Sequence, residues 1–128
     1  MNKCNVSVEG PIAVLEWLDT FGLDKLEEML EAVVSTPGFH DGMPLLIIEP
    51  EGGPGPPPKD TEQWVRILKK SASRFGNRIA IAAKQEVHFG LARMLGTHCD
   101  LAGIRLRPFR DTQAAERWLV SKDTLGLE

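Results

Sequence analysis

From Asn77 onward the chain alternates between short apolar runs and longer stretches of helical period, and this alternation restricts the fold more than any other feature. Ile79-Ala-Ile-Ala-Ala83 is a compact apolar run whose small side chains let a helix approach closely. Glu86 to Asp100 repeats apolar residues at helical spacing, with Val87, Leu91, Met94 and Leu95 predicted to face inward. Ile104 and Leu106 then alternate with Arg105 and Arg107, the mark of a strand with one wet face near a sheet edge. Asp111 is placed to cap a last helix in which Ala115, Trp118 and Leu119 pack inward.

The first half reads in the same way. Val6 and Val8 alternate with polar neighbours, and Gly10-Pro11 marks a turn. Ile12 to Leu18 satisfies strand and helix patterns almost equally. The strand is favoured because Pro11 and Gly22 bracket a strand-like length. A helix follows from about Leu23, with Leu26, Leu30, Val33 and Val34 on one stripe. Leu45-Leu-Ile-Ile48 is a continuous apolar run of the kind buried on both faces in parallel sheets. Between Glu49 and Asp60, five prolines and three glycines in twelve residues sustain neither a helix nor a ladder, so this segment is a loop. Asp60 is the expected cap of the next helix, with Gln63 at the capping-box position. That helix carries Trp64, Leu68, Ala72 and Phe75 on its apolar stripe and Arg66, Lys69, Lys70 and Arg74 on its basic face. The order β-β-α-β-α-β-α-β-α implies an α/β domain: a mixed, mostly parallel sheet of four to five strands with about four helices packed on it.

Length and charge narrow the function classes. At 128 residues the chain is expected to form one domain spanning 1–128. A net charge of −3 argues against a nucleic-acid partner. No apolar run is long enough to insert in a membrane, and the N-terminal segment has no signal-peptide core, so a cytoplasmic protein is expected. In that compartment Cys4 and Cys99 read as free thiols.

Chemical motifs are sparse. His88 and His98 are ten residues apart on one predicted helix, about 15 Å along its axis, too far to share a metal ion. His40 and Asp41 sit in ordinary turn chemistry. Gly52-Gly-Pro-Gly55 has glycines like a phosphate-cradling loop but leads into Pro58-Lys59-Asp60 rather than Gly-Lys-Ser/Thr, which excludes the Walker pattern. No Ser/His/Asp set or paired-carboxylate motif is present, so neither an enzyme nor a cofactor is expected. The loop does lie at the carboxyl end of a buried strand, where open α/β sheets commonly place ligands. Glu51, Pro56, Lys59, Asp60 and Thr61 are therefore the first candidates for partner contact. Arg105 and Arg107, with Arg110 close by, are further candidates for an acidic partner, or are solvated arginines that discourage edge pairing.

Over Thr36 to Leu119 the chain resembles the STAS-like proteins, small α/β domains that include stand-alone anti-sigma-factor antagonists. The resemblance is carried by Phe39-His-Asp-Gly-Met43 before Leu45–Ile48, by Arg78–Ala82, by Phe89-Gly-Leu-Ala-Arg-Met94, and by Arg107-Pro-Phe-Arg-Asp111 leading into Ala115-Glu-Arg-Trp-Leu119. It implies a four- or five-stranded mixed sheet with helices mainly on one side, and a non-enzymatic regulatory module acting through an unidentified protein partner. Antagonists of that family carry a phosphorylated serine or threonine at the start of the helix after this strand. The hydroxyl here is Thr61, although the Asp-Ser-Ser-Gly-like motif is missing. A homodimer is one form such a module can take. The alternative is a lipid-like or small-molecule carrier, by likeness to CRAL-TRIO domains of related topology.

Overall fold

A computed structural model describes residues 4–18, 23–50 and 58–121. Five strands form one mixed sheet in the spatial order of the sequence. Strand β1 (Cys4–Glu9) pairs antiparallel with β2 (Ile12–Trp17), and Glu9 faces Ile12 across the turn. Gly10, at φ +60°, takes the first of the two loop positions, as a tight hairpin requires. Ile12–Trp17 is thus a strand, the reading favoured by its length. Strands β3 (Leu45–Ile48), β4 (Arg78–Ala82) and β5 (Arg105–Phe109) continue the sheet in parallel.

Because each parallel strand lies beside the previous one, right-handed crossovers place all three connecting helices on one face. These are α1 (Leu23–Val34), α2 (Thr61–Ser71) and α3 (Glu86–Leu101). The last helix, α4 (Thr112–Val120), leads to no further strand among the described residues and packs on the opposite face. The expectation of helices mainly on one side holds.

The pleat sorts the core into two layers. Leu15, Leu45, Ile47, Ile79, Ile81 and Leu106 face α1–α3, with Trp17, Trp64, Leu68 and Phe75 in the same cluster. Ile12, Val14, Leu46, Ala80 and Ala82 meet Ala115 and Leu119 of α4. Three alanines, Ala80, Ala82 and Ala115, lie in the α4 layer. Trp118 is only half-buried and leans on Phe109, with ring centroids 5.7 Å apart.

Two local expectations change. Asp111 does cap α4, its Oδ1 accepting from the Ala114 N–H at 2.8 Å. Asp60 does not cap α2: it sits at φ −87°, ψ 0° and makes no side-chain cap hydrogen bond. The run Pro58–Asp60 winds into a 3-10 turn that leads directly into α2, so Asp60 already has helical dihedrals. A capping side chain needs the extended backbone that Asp111 has and Asp60 lacks. The second change is that α2 ends at Ser71 and continues as a 3-10 turn, Ala72–Phe75, which still carries Phe75 into the core.

Candidate functional site at the carboxyl edge of the sheet

The pleat that aims Leu45 and Ile47 at the helices aims Glu49 the same way, one step past the end of β3. The Glu49 N–H donates to the Ala82 carbonyl at 3.0 Å, so the ladder holds its backbone in strand geometry. A carboxyl group is thereby driven under α2 and α3, and its side chain is only 6% exposed. Burial pushes the Glu49 carboxyl up to about 7, because its charged form loses hydration.

Its neighbour is His88, whose side chain is 1% exposed and whose Nδ1 lies 3.5 Å from Glu49 Oε1. Of the residues expected to face inward on α3, Leu95 is buried and Leu91 and Met94 are half-buried. Val87 is instead 55% exposed, and the buried stripe is His88, Ala92, Leu95, Gly96 and Cys99. The cause is backbone approach. A Cβ added at Gly96 would lie 2.8 Å from the Leu106 carbonyl oxygen, so only glycine lets α3 come this close to β5. Seating Gly96 and Ala92 against the sheet turns the helix so that His88 points in. The small residues at a four-residue interval, followed by Cys99, were the sequence signal for this phase.

A notch of about 20 Å³, room for roughly one water, opens beside Glu49 between Thr61, Trp64, Ile81 and Leu95. On its other side Glu49 borders a wider cleft of about 460 Å³. This cleft crosses the carboxyl ends of four strands, taking Glu16 and Trp17 from β2, Glu49 after β3, Lys84 after β4, and Arg110 and Asp111 after β5. The Arg110 guanidinium pairs with Glu86 and stacks over Phe89, 4.0 Å from the ring centroid. The cleft is therefore amphipathic, with the largely buried Glu49 on its lining beside Trp17, Leu18 and Ile48, and with Glu16, Lys84, Arg110 and Asp111 around them.

The sequence-chosen residues divide between this edge and the far side of the sheet. Thr61 is half-buried on the wall of the notch, and Lys59 and Asp60 lie in the turn before it. Glu51 and Pro56 lie outside the described residues. Arg105 and Arg107 pair in register with Arg78 and Ala80, which puts them on the α4 side of edge strand β5. Arg107 reaches round to Asp100 at 3.0 Å. The structure thus separates these arginines from Thr61 and brings Arg110 to the cleft instead. His98 is exposed, while Cys99 is buried, its thiol pushed up to about 12 by burial and then by the Asp100 charge. Among the described residues no group of three His, Cys, Asp or Glu side chains can hold a metal ion, and no helix is long and apolar enough to cross a membrane.

No family model matches the chain. No curated protein matches it. A solved structure does: an uncharacterized protein of the DUF3478 family with a SpoIIAA-like fold, from Shewanella loihica PV-4, is similar over 91% of each chain at 17% identity, with a TM-score of 0.57. At that identity the likeness concerns the backbone alone. The strand order, the helices set mainly on one face and this match agree: the chain has a SpoIIAA-like, that is STAS-like, α/β fold.

Proposed function

We propose that the protein is a non-enzymatic regulatory module that binds a protein partner over the carboxyl edge of its sheet. The observation carrying this reading is the amphipathic cleft across four strand ends, with Leu18 and Val87 exposed at the same edge, 50% and 55% accessible. Large apolar side chains beside charged ones around such a cleft suit a protein surface. The loop 49–60 starts at this edge and ends at Thr61, so the candidate contacts Lys59, Asp60 and Thr61 belong to the proposed surface.

Thr61 remains the candidate switch residue. A phosphoryl group there would meet the favourable end of the α2 dipole, yet would share a wall with Glu49. The carrier alternative finds no support. The similar solved structure has a SpoIIAA-like fold, and the cavity that enters the core beside Trp64 and Leu95 has room for roughly one water, while the larger cleft of about 460 Å³ carries charged side chains on its lining rather than an apolar interior.

The test is site-specific photocrosslinking in the native host, with the reactive residue at Lys84 and, as a control at the opposite end of the sheet, at Val120. One discrete adduct from Lys84 and none from Val120 is expected, and a second copy of the chain in that adduct would make the partner a homodimer. Equal labelling from both positions, or none from Lys84, rejects the carboxyl edge as the contact surface.

A further inference from the structure

A second surface, sharing no residue with the cleft, lies on the outside of the helical layer. Here the end of α3 comes beside the outer face of α2. Leu101, the last residue of α3, is 85% exposed, more than any other large apolar side chain among the described residues. It sits in a groove with Val65 and is ringed by Arg66, Lys69, Lys70 and His98. Glu62 is the one acidic residue on the groove's lining among the described residues. On a chain whose net charge is −3, the three side chains Arg66, Lys69 and Lys70 against Glu62 make this lining a local basic exception.

Two of the cations also build the groove. Lys69 Nζ donates to the Ala102 carbonyl and so ties α2 to the end of α3. Lys70 pairs with Glu27 of α1 at 3.5 Å, with both side chains more than half exposed. Arg66 is exposed on the outer face of α2, and its guanidinium is suited to two-pronged recognition of a carboxylate.

We infer that this groove docks an acidic segment of a partner protein, its carboxylates meeting Arg66 and its neighbours and an apolar side chain covering Leu101. Charge complementarity selects the occupant. An anionic membrane would meet the same cations, but a handful of basic residues contribute only ~1 kcal/mol each, and the net negative charge of the whole molecule opposes them. A short acidic segment meets the local field alone, because charges beyond roughly 10 Å are screened at physiological salt. This inference stands apart from the carboxyl-edge reading and survives its failure.

The experiment uses a fluorescent helix-forming peptide with leucines on one face and glutamates on the other, a twin carrying lysines for glutamates, and vesicles containing phosphatidylserine. Anisotropy should show saturable binding of the acidic peptide only, weakening as salt is raised. Leu101→Asp and Arg66→Glu should each weaken it about thirtyfold, the scale of an interface hot spot. Lys84→Glu, in the cleft, should leave it unchanged. Both groove variants are at exposed positions, and their melting temperatures report whether folding is intact. Equal binding of the lysine twin, no binding of the acidic peptide, or insensitivity to both groove variants overturns the inference. Preferential capture by the vesicles overturns it in favour of a membrane surface.

Discussion

The two ends of the parallel sheet are built on opposite principles. At the amino end the chain closes itself with backbone. The Gly42 N–H donates to the Arg74 carbonyl at 2.8 Å, Asn77 N–H to Ala72 at 2.8 Å, and Arg105 N–H to Asn77 at 3.0 Å. The packing is tight enough that a Cβ at Gly76, itself at φ +65°, would lie 2.9 Å from the Gly42 oxygen. Phe75 fills the space beneath, edge-on to Phe39. At the carboxyl end the chain leaves a cleft and buries Glu49 and His88 under it. Under the proposed function, stability and binding would fall at different ends, as in α/β barrels, where one end holds the fold and the other carries the chemistry.

The largest expected effect lies at the closed end. Phe75 is fully buried, so Phe75→Ala should cost about 3–5 kcal/mol, a large share of a typical domain's stability. Urea denaturation would show it as a shifted midpoint. A loss below about 1 kcal/mol would mean that the amino end is looser than its contacts indicate.

The carboxyl end should respond in the opposite direction, and only in part of the pH range. In the folded protein Glu49 keeps its proton up to about 7, whereas in the unfolded chain it releases it near 4.5. Between those values the folded state binds more protons, so stability falls as pH rises and the full penalty applies above 7. The shift corresponds to as much as about 3 kcal/mol. Glu49→Gln removes the titrating group while keeping the shape. The variant should match the wild type at acid pH, exceed it above neutrality, and show a flatter pH dependence through the window. A variant that followed the wild-type curve throughout would show that Glu49 is not the group that titrates, and the contrast between the ends would lose its electrostatic half.

These features differ in how far they can be seen from sequence. Strands and helices declare themselves by local period: Ile79–Ala83 is apolar throughout, and Arg105 and Arg107 alternate with Ile104 and Leu106. Sheet order follows, since right-handed crossovers leave few arrangements. The site is less visible. Glu49 reads as the first residue of a proline loop, and its burial appears only when β3's pleat is extended one step. His88 is hidden by a choice of helix phase that the apolar residues of α3 do not settle and that Gly96 does, through contact with a strand that comes later in the chain. The failed cap at Asp60 has a similar origin, because Pro58–Asp60 winds into a 3-10 turn that composition alone does not specify. Local period is written in neighbouring residues, while a site depends on which distant backbone comes close.

The smallest expected effect tests whether backbone really closes the amino end. Arg74 Nε lies 3.0 Å from Asp41 Oδ1, the one side-chain ion pair that the structure places across this closure among the described residues. Both side chains are substantially exposed, at 47% and 74%, so solvent screens the attraction and the loss of side-chain freedom offsets much of it. Asp41→Ala should therefore cost no more than about 0.5 kcal/mol, and the cost should shrink further in high salt. The flanking bond from Gly42 to Arg74 involves only main-chain atoms and persists in the variant. A loss above about 1 kcal/mol that salt abolishes would place a charge pair, rather than glycine geometry and main-chain bonds, at the centre of the closure. The two ends would then differ in degree of electrostatic dependence and not in kind.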